Sequence, residues 1–219
     1  MLRRACFSFL ALVLLPATVQ AFDHHHGHHS SSGDGGGGCS SSSTHASSTP
    51  SASASKPPTL VLSSNHHRVF ITSASFSGAV GGLDAADMYC QSAATGAGLS
   101  GTYRAWLSTS ASNASERIGE VGPWYSTRDT VVFASKAALH EAPTSEILDE
   151  HGTTSATPDP WTGTDARGAA SGQDCDGWTN GTGEVTATTG TGFASDVEWG
   201  GGAMALHCDA TAPLICFQQ

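Results

Sequence analysis

Four cysteines in a chain marked for export constrain this fold more than any other feature. Arg3 and Arg4 form a basic n-region, residues 6–15 are apolar, and Pro16 breaks the run. Val19-Gln20-Ala21 then supplies the small residues that a signal peptidase accepts, so residues 1–21 are expected to be a signal peptide. The apolar run is too short to span a bilayer, which takes roughly 20 residues. No membrane span is expected, and the protein should be secreted, extracellular or at the cell surface. In that compartment cysteines pair rather than stay poised for metal or catalysis. Cys6 leaves with the signal, and Cys90, Cys175, Cys208 and Cys216 remain in the part able to fold, an even set with three possible pairings.

Residues 22–65 are a different material. From 30 to 64 the chain is dominated by Ser, Gly, Ala, Thr and Pro, without side chains large enough to nucleate a core. As a flexible coil this arm would span roughly 35–40 Å, which suits a tether. His24, His25, His26, His28 and His29 stand directly behind the cleavage site, and closely spaced neutral imidazoles chelate Zn2+, Ni2+ or Cu2+. The competing reading is a polar run that picks up metal only opportunistically. Cys39, left over in the arm, points to an intermolecular disulfide.

Residues 66–219 read as one α+β domain. The best-specified stretch is 81–107. Asp84 is a plausible N-cap; Leu83, Ala86, Tyr89, Cys90, Ala93 and Ala94 recur at helical spacing as one apolar face; Gly96 and Gly98 stop the helix. Residues 103–107 then alternate as a half-buried strand does. The β-branched, aromatic run 69–72 predicts a first strand, and 113–117 a short capped turn. Residues 123–126 and 131–133, joined by a turn at Thr127-Arg128-Asp129, predict a hairpin. Residues 135–139 predict a second short helix capped by Ser135. After 140 the signals are short strands broken by Gly, Pro, Asp and Thr, ending in the most apolar run, 214–217, expected to be central.

These residues carry a resemblance. Gly-Leu-Asp-Ala-Ala-Asp-Met-Tyr-Cys at 82–90 and Gly-Leu-Ser-Gly-Thr-Tyr-Arg-Ala-Trp-Leu-Ser at 98–108 resemble the helix and strand of endostatin. So do Trp161-Thr162-Gly163-Thr164-Asp165, Cys175-Asp176-Gly177-Trp178, His207-Cys208 and Leu214-Ile215-Cys216. The match is closer still to an endostatin-related domain of exported bacterial proteins. It covers about 70–219 and is thinnest between 109 and 160. The resemblance implies a C-type-lectin-like fold: two short helices, a twisted, mostly antiparallel sheet, and the first helix clamped to the last strand. It also implies the pairing Cys90–Cys216 with Cys175–Cys208 nested inside.

The resemblance delivers no ligand set. The Glu-Pro-Asn or Gln-Pro-Asp and Trp-Asn-Asp signatures of Ca2+-dependent lectins are absent, and the acidic group Asp174, Asp176, Asp196, Glu198 and Asp209 reads better as a solvated face than as a Ca2+ site. Arg68 stands where endostatin's strand-leading zinc histidine would align. No cofactor is required.

Composition narrows the partners. Without the signal, 7 Lys+Arg face 19 Asp+Glu, a formal charge of −12, and no basic cluster remains to track phosphates. Nucleic acid is therefore not expected as a partner; a basic patch would have to be assembled in three dimensions from Arg68, Arg104, Arg117, Arg128 and Arg167, within an acidic field. Catalysis has little support: His140-Glu141 lacks a second histidine at helical spacing, and there is neither a Gly-x-Ser-x-Gly elbow nor a phosphate loop. His140, His151 and His207 could join a serine in a triad only through an arrangement that sequence does not reveal. The expectation is an exported, tethered, non-catalytic adhesion or binding module for an extracellular protein or glycan. The alternatives are a secreted hydrolase and a metal binder acting through the arm. Trp106 and Trp178 read as core. Trp124, Trp161 and Trp199, beside Gly or Pro, are the tryptophans expected to reach the surface and stack on ligand. Asn113 and Asn180 head glycosylation sequons, meaningful in a cell with that machinery.

Overall fold

The computed structural model describes residues 65–157, 159–192 and 197–219. The His-rich run, Cys39 and Asp196 lie outside the described residues. Strand β1 (His67–Ile71) is followed by a short β2 (Phe76–Ser77), helix α1 (Leu83–Gly96), β3 (Tyr103–Ala105) and a single helical turn, α2 (Ala114–Arg117). The hairpin β4 (Trp124–Tyr125) and β5 (Val131–Phe133) comes next. After it the chain runs through long irregular segments to β6 (Thr186–Thr189), β7 (Met204–His207), β8 (Thr211–Ala212) and β9 (Ile215–Gln218).

The main sheet has the order β3-β9-β1-β4-β5, antiparallel except where β1 runs parallel to β4. The most apolar strand, β9, lies in the sheet interior as expected, flanked by β1 and β3. Because side chains alternate along a strand, each strand feeds both faces. Phe70 and Cys216 turn toward α1, packing with Tyr103, Ala105, Trp161 and Trp178. Val69, Ile71, Ile215 and Phe217 turn the other way onto Trp106, Trp124, Phe133 and Trp199.

Both disulfides, Cys90–Cys216 and Cys175–Cys208, are present. The first joins the buried face of α1 to β9, where Cys216 pairs with Phe70 and Ala105. Asp87, one turn earlier on α1, accepts hydrogen bonds from Ala105 N and, at both carboxylate oxygens, from Arg117 Nη2.

Several local expectations are corrected. Gly82, not Asp84, stands at the N-cap of α1; its φ of 90° is open to glycine, and Asp84 falls in the first turn, where a carboxylate still complements the helix dipole. Tyr89 is not inward but 42% exposed, lying against Phe76. The expected second helix is a 3₁₀ turn, Lys136–His140, with no capping bond from the Ser135 hydroxyl. Cys175–Trp178 is a left-handed turn, with positive φ at all four residues, held by the disulfide and by Asp174, which accepts from Gly177 N.

Candidate functional site

The turn between β4 and β5 builds one wall of a pocket. Ser126 N donates to the Thr130 carbonyl, closing the turn, and the buried Ser126 Oγ accepts from the amides of Arg128 and Thr130 at 3.2 and 3.3 Å. Asp129, with φ of 61°, turns its carboxylate back to Arg68 and His66, and the His66 ring stacks on Tyr125. Arg128 projects separately, its stem lying across Gly152: a Cβ at 152 would sit 3.3 Å from both Cγ and Nε of Arg128.

The opposite wall is the segment 145–154, and Asp149 shapes it. The residue is 6% exposed, and its carboxylate accepts from the amides of His151 and Thr153 at 2.9 and 2.8 Å and from the Thr153 hydroxyl. Burial pushes the Asp149 pKa up, but the hydrogen bonds from Thr153 and His151 together outweigh it, and the result lies below the ordinary value. The loop so closed puts Gly152, at φ +80°, beneath Arg128. Two bonds fasten this wall to the rest: Thr127 Oγ1 donates to the Asp149 carbonyl at 2.7 Å, and Ile71 N donates to the Leu148 carbonyl at 3.0 Å.

Between the walls lies a cavity of about 270 Å3 lined by Ser126, Arg128, Thr130, Ser145, Glu146 and Thr154, with Leu148 the apolar member. Its charges are unspent. Arg68 is paired with Asp129, Arg117 with Asp87 and Lys136 with Glu120, while Arg104 donates to the Arg117 carbonyl. Among the described residues the Arg128 guanidinium has no such partner, and neither does the Glu146 carboxylate.

The tryptophans expected at the surface are not there. Trp124, Trp161 and Trp199 are buried, and so are Trp106 and Trp178. Each indole N–H reaches a distant carbonyl: Trp106 to Gly200, Trp124 to Gln218, Trp161 to Phe76, Trp178 to Ser108 and Trp199 to Glu141, all between 2.7 and 3.0 Å. A domain with short strands and long loops has many carbonyls without a ladder partner, and a buried indole supplies both area and a donor. That is why neighbouring Gly and Pro mark loop anchors here rather than a binding face.

The acidic residues also go elsewhere. Asp174 accepts from Ser110 N and Gly177 N, and Asp176 from the Asn180 amide. Among the described residues, no three His, Cys, Asp or Glu side chains come together as a metal site. Nor is any histidine ring hydrogen-bonded to a serine there; His151 lies 3.7 Å from Glu150, whose carboxylate already accepts from Ser73. Arg68 is buried and committed to Asp129 and the Ser126 carbonyl. Of the two sequons, Asn113 accepts from Ala170 N and Asn180 donates to Asp176.

Of the pocket, the sequence had shown only the turn at 127–129. The packing of 145–154 against it depends on Asp149 folding its own loop, which no spacing announces. No family model matches the chain, and no curated protein matches it.

Proposed function

We propose that this protein is an exported, non-catalytic glycan-binding module: a disulfide-stapled head of C-type-lectin-like, endostatin-related type, carried on a Ser/Gly/His-rich tether. The fold assignment draws support from the nested disulfides and from α1 lying against the strand that carries Cys216. The observation that carries the function is the Arg128–Glu146 pocket. A wall of hydroxyls with one unpaired cation and one unpaired carboxylate is complementary to a polyhydroxylated ligand, which offers donors and acceptors in every direction. A protein ligand would more naturally meet an aromatic or aliphatic anchor at the pocket, whereas its lining has Leu148 as the one apolar side chain and all five indoles are spent on the core.

A glycan array probed with the full chain, with and without EDTA, tests this. Sugar-dependent binding that survives EDTA is expected, because the pocket contributes a single carboxylate and a hard cation needs several oxygen ligands. An array without hits would overturn the reading in favour of adhesion to protein.

A further inference from the structure

The same pocket, if it is a glycan site as proposed above, also restricts the kind of sugar. We infer that its ligand is a monoanionic sugar residue, a hexuronate in chemical class, whose carboxylate sits on the Arg128 guanidinium while its ring hydroxyls meet Glu146 and the hydroxyl wall.

Charge is the first argument. The chain carries 19 acidic against 9 basic residues, yet Arg128, like Arg104 and Arg167 among the described residues, has no carboxylate beside it, and of these three only Arg128 lines the cavity. It is also held in place: the Arg128 amide is fixed by Ser126 Oγ, and its stem rests on a glycine that leaves no room for a side chain. A planar fork presented in this way matches a carboxylate in bidentate geometry. Glu146 sets the upper limit on ligand charge. A phosphate monoester would bring close to two negative charges into a small space already holding a carboxylate, whereas a hexuronate brings one, at the ring's end, with its hydroxyls on the far side.

Hydrogen-bond capacity is the second. Ser126 is 1% exposed and uses both acceptor directions on the amides of Arg128 and Thr130, which leaves its O–H to donate into the cavity. Ser145 donates to the Val131 carbonyl and so can only accept. Glu146 accepts, while Thr130 and Thr154 do either. Alternating donors and acceptors of this kind suit vicinal hydroxyls, each of which gives one bond and takes another. Size is the third argument. A cavity of about 270 Å3 falls just below the roughly 300–1,000 Å3 of drug-sized ligand sites, and admits one ring with its neighbours outside.

The test is a titration of the full chain, followed by NMR or calorimetry, with glucuronate, glucose and acetate as probes. Glucuronate should bind at least about tenfold more tightly than glucose or acetate, and more weakly as salt rises. Arg128→Ala should weaken glucuronate by about tenfold or more and leave glucose unchanged, with Arg128→Lys between, since lysine keeps the charge and loses the fork. Arg128 is exposed, so folding is not at risk, and an unchanged thermal midpoint verifies that. Equal binding of glucose and glucuronate, both insensitive to Arg128→Ala and both weakened by Glu146→Gln, would overturn the carboxylate assignment and leave a glycan site. Acetate binding as tightly as glucuronate, or a free peptide C-terminus displacing it while no sugar binds, would overturn both.

Discussion

Gly78 shows how closely single residues are fitted. A Cβ there would lie 2.2 Å from Cys175 Sγ and 2.8 Å from Cys208 Cβ, so the backbone passes directly over the inner disulfide. Gly78→Ala should cost about 1–3 kcal/mol by overpacking, read as a fall of roughly 3–10 °C in thermal midpoint, and failure to close that disulfide would show as two free thiols. Asp149 makes a different prediction. Its folded-state pKa lies below the ordinary value of 3.8, so its stabilisation is complete above the unfolded pKa and lost as pH falls through the folded one. Asp149→Asn keeps an acceptor for the two amides but not for the Thr153 hydroxyl. It should therefore cost about 1–2 kcal/mol near neutral pH, and the difference from wild type should narrow below about pH 4 in urea titrations. Tyr103 adds no such term near neutrality: burial pushes its phenol up, with the charge of Arg68 a smaller opposing pull, and it stays protonated throughout.

Among the elements, α1 and β9 depend on each other. Cys90 and Cys216 close a loop of 126 residues, worth about 5 kcal/mol in the chain-entropy model, against about 4 for the 33-residue separation of Cys175 and Cys208. Replacing Cys90 and Cys216 together by serine should therefore lower the urea midpoint more than replacing Cys175 and Cys208. These elements were the legible part of the sequence. The buried positions Ala86, Cys90 and Ala94 follow helical spacing, and β1 and β9 are runs too apolar to lie anywhere but inside. Tyr89 departed from its helix face because Phe76, on another element, offered it a partner near the surface. Beyond 140, spacing has no purchase: the shape is set by side chain to backbone bonds, such as Asp149 to Thr153 and Asp165 to Ala169, that join residues four apart without periodicity. The pocket lies partly in that territory, so only its hairpin half could be read.

At the scale of the whole domain, five indoles act together. Each N–H binds a carbonyl at least 58 residues away, so segments without regular structure are fastened to the core from the inside. Native fluorescence should accordingly be blue-shifted and nearly immune to iodide, and saturating the pocket with sugar should leave it unchanged; strong quenching in the folded state would contradict the burial of all five. Sequence placed two of them correctly and misassigned three, because a tryptophan beside glycine or proline looks the same whether its ring leaves the surface or enters it.

The alternation of β1 and β9 across the sheet has a consequence for redox behaviour. All four cystine sulfurs belong to the α1 side, while the side built by Val69, Ile71, Trp106, Trp124 and Phe217 has no covalent bond across it. Ile147, next to Glu146 and Leu148 of the pocket, packs into that second side. A thiol reductant therefore attacks the side of the sheet away from the proposed pocket. In mild dithiothreitol, amide exchange should quicken over α1 before it does over β4 and β5.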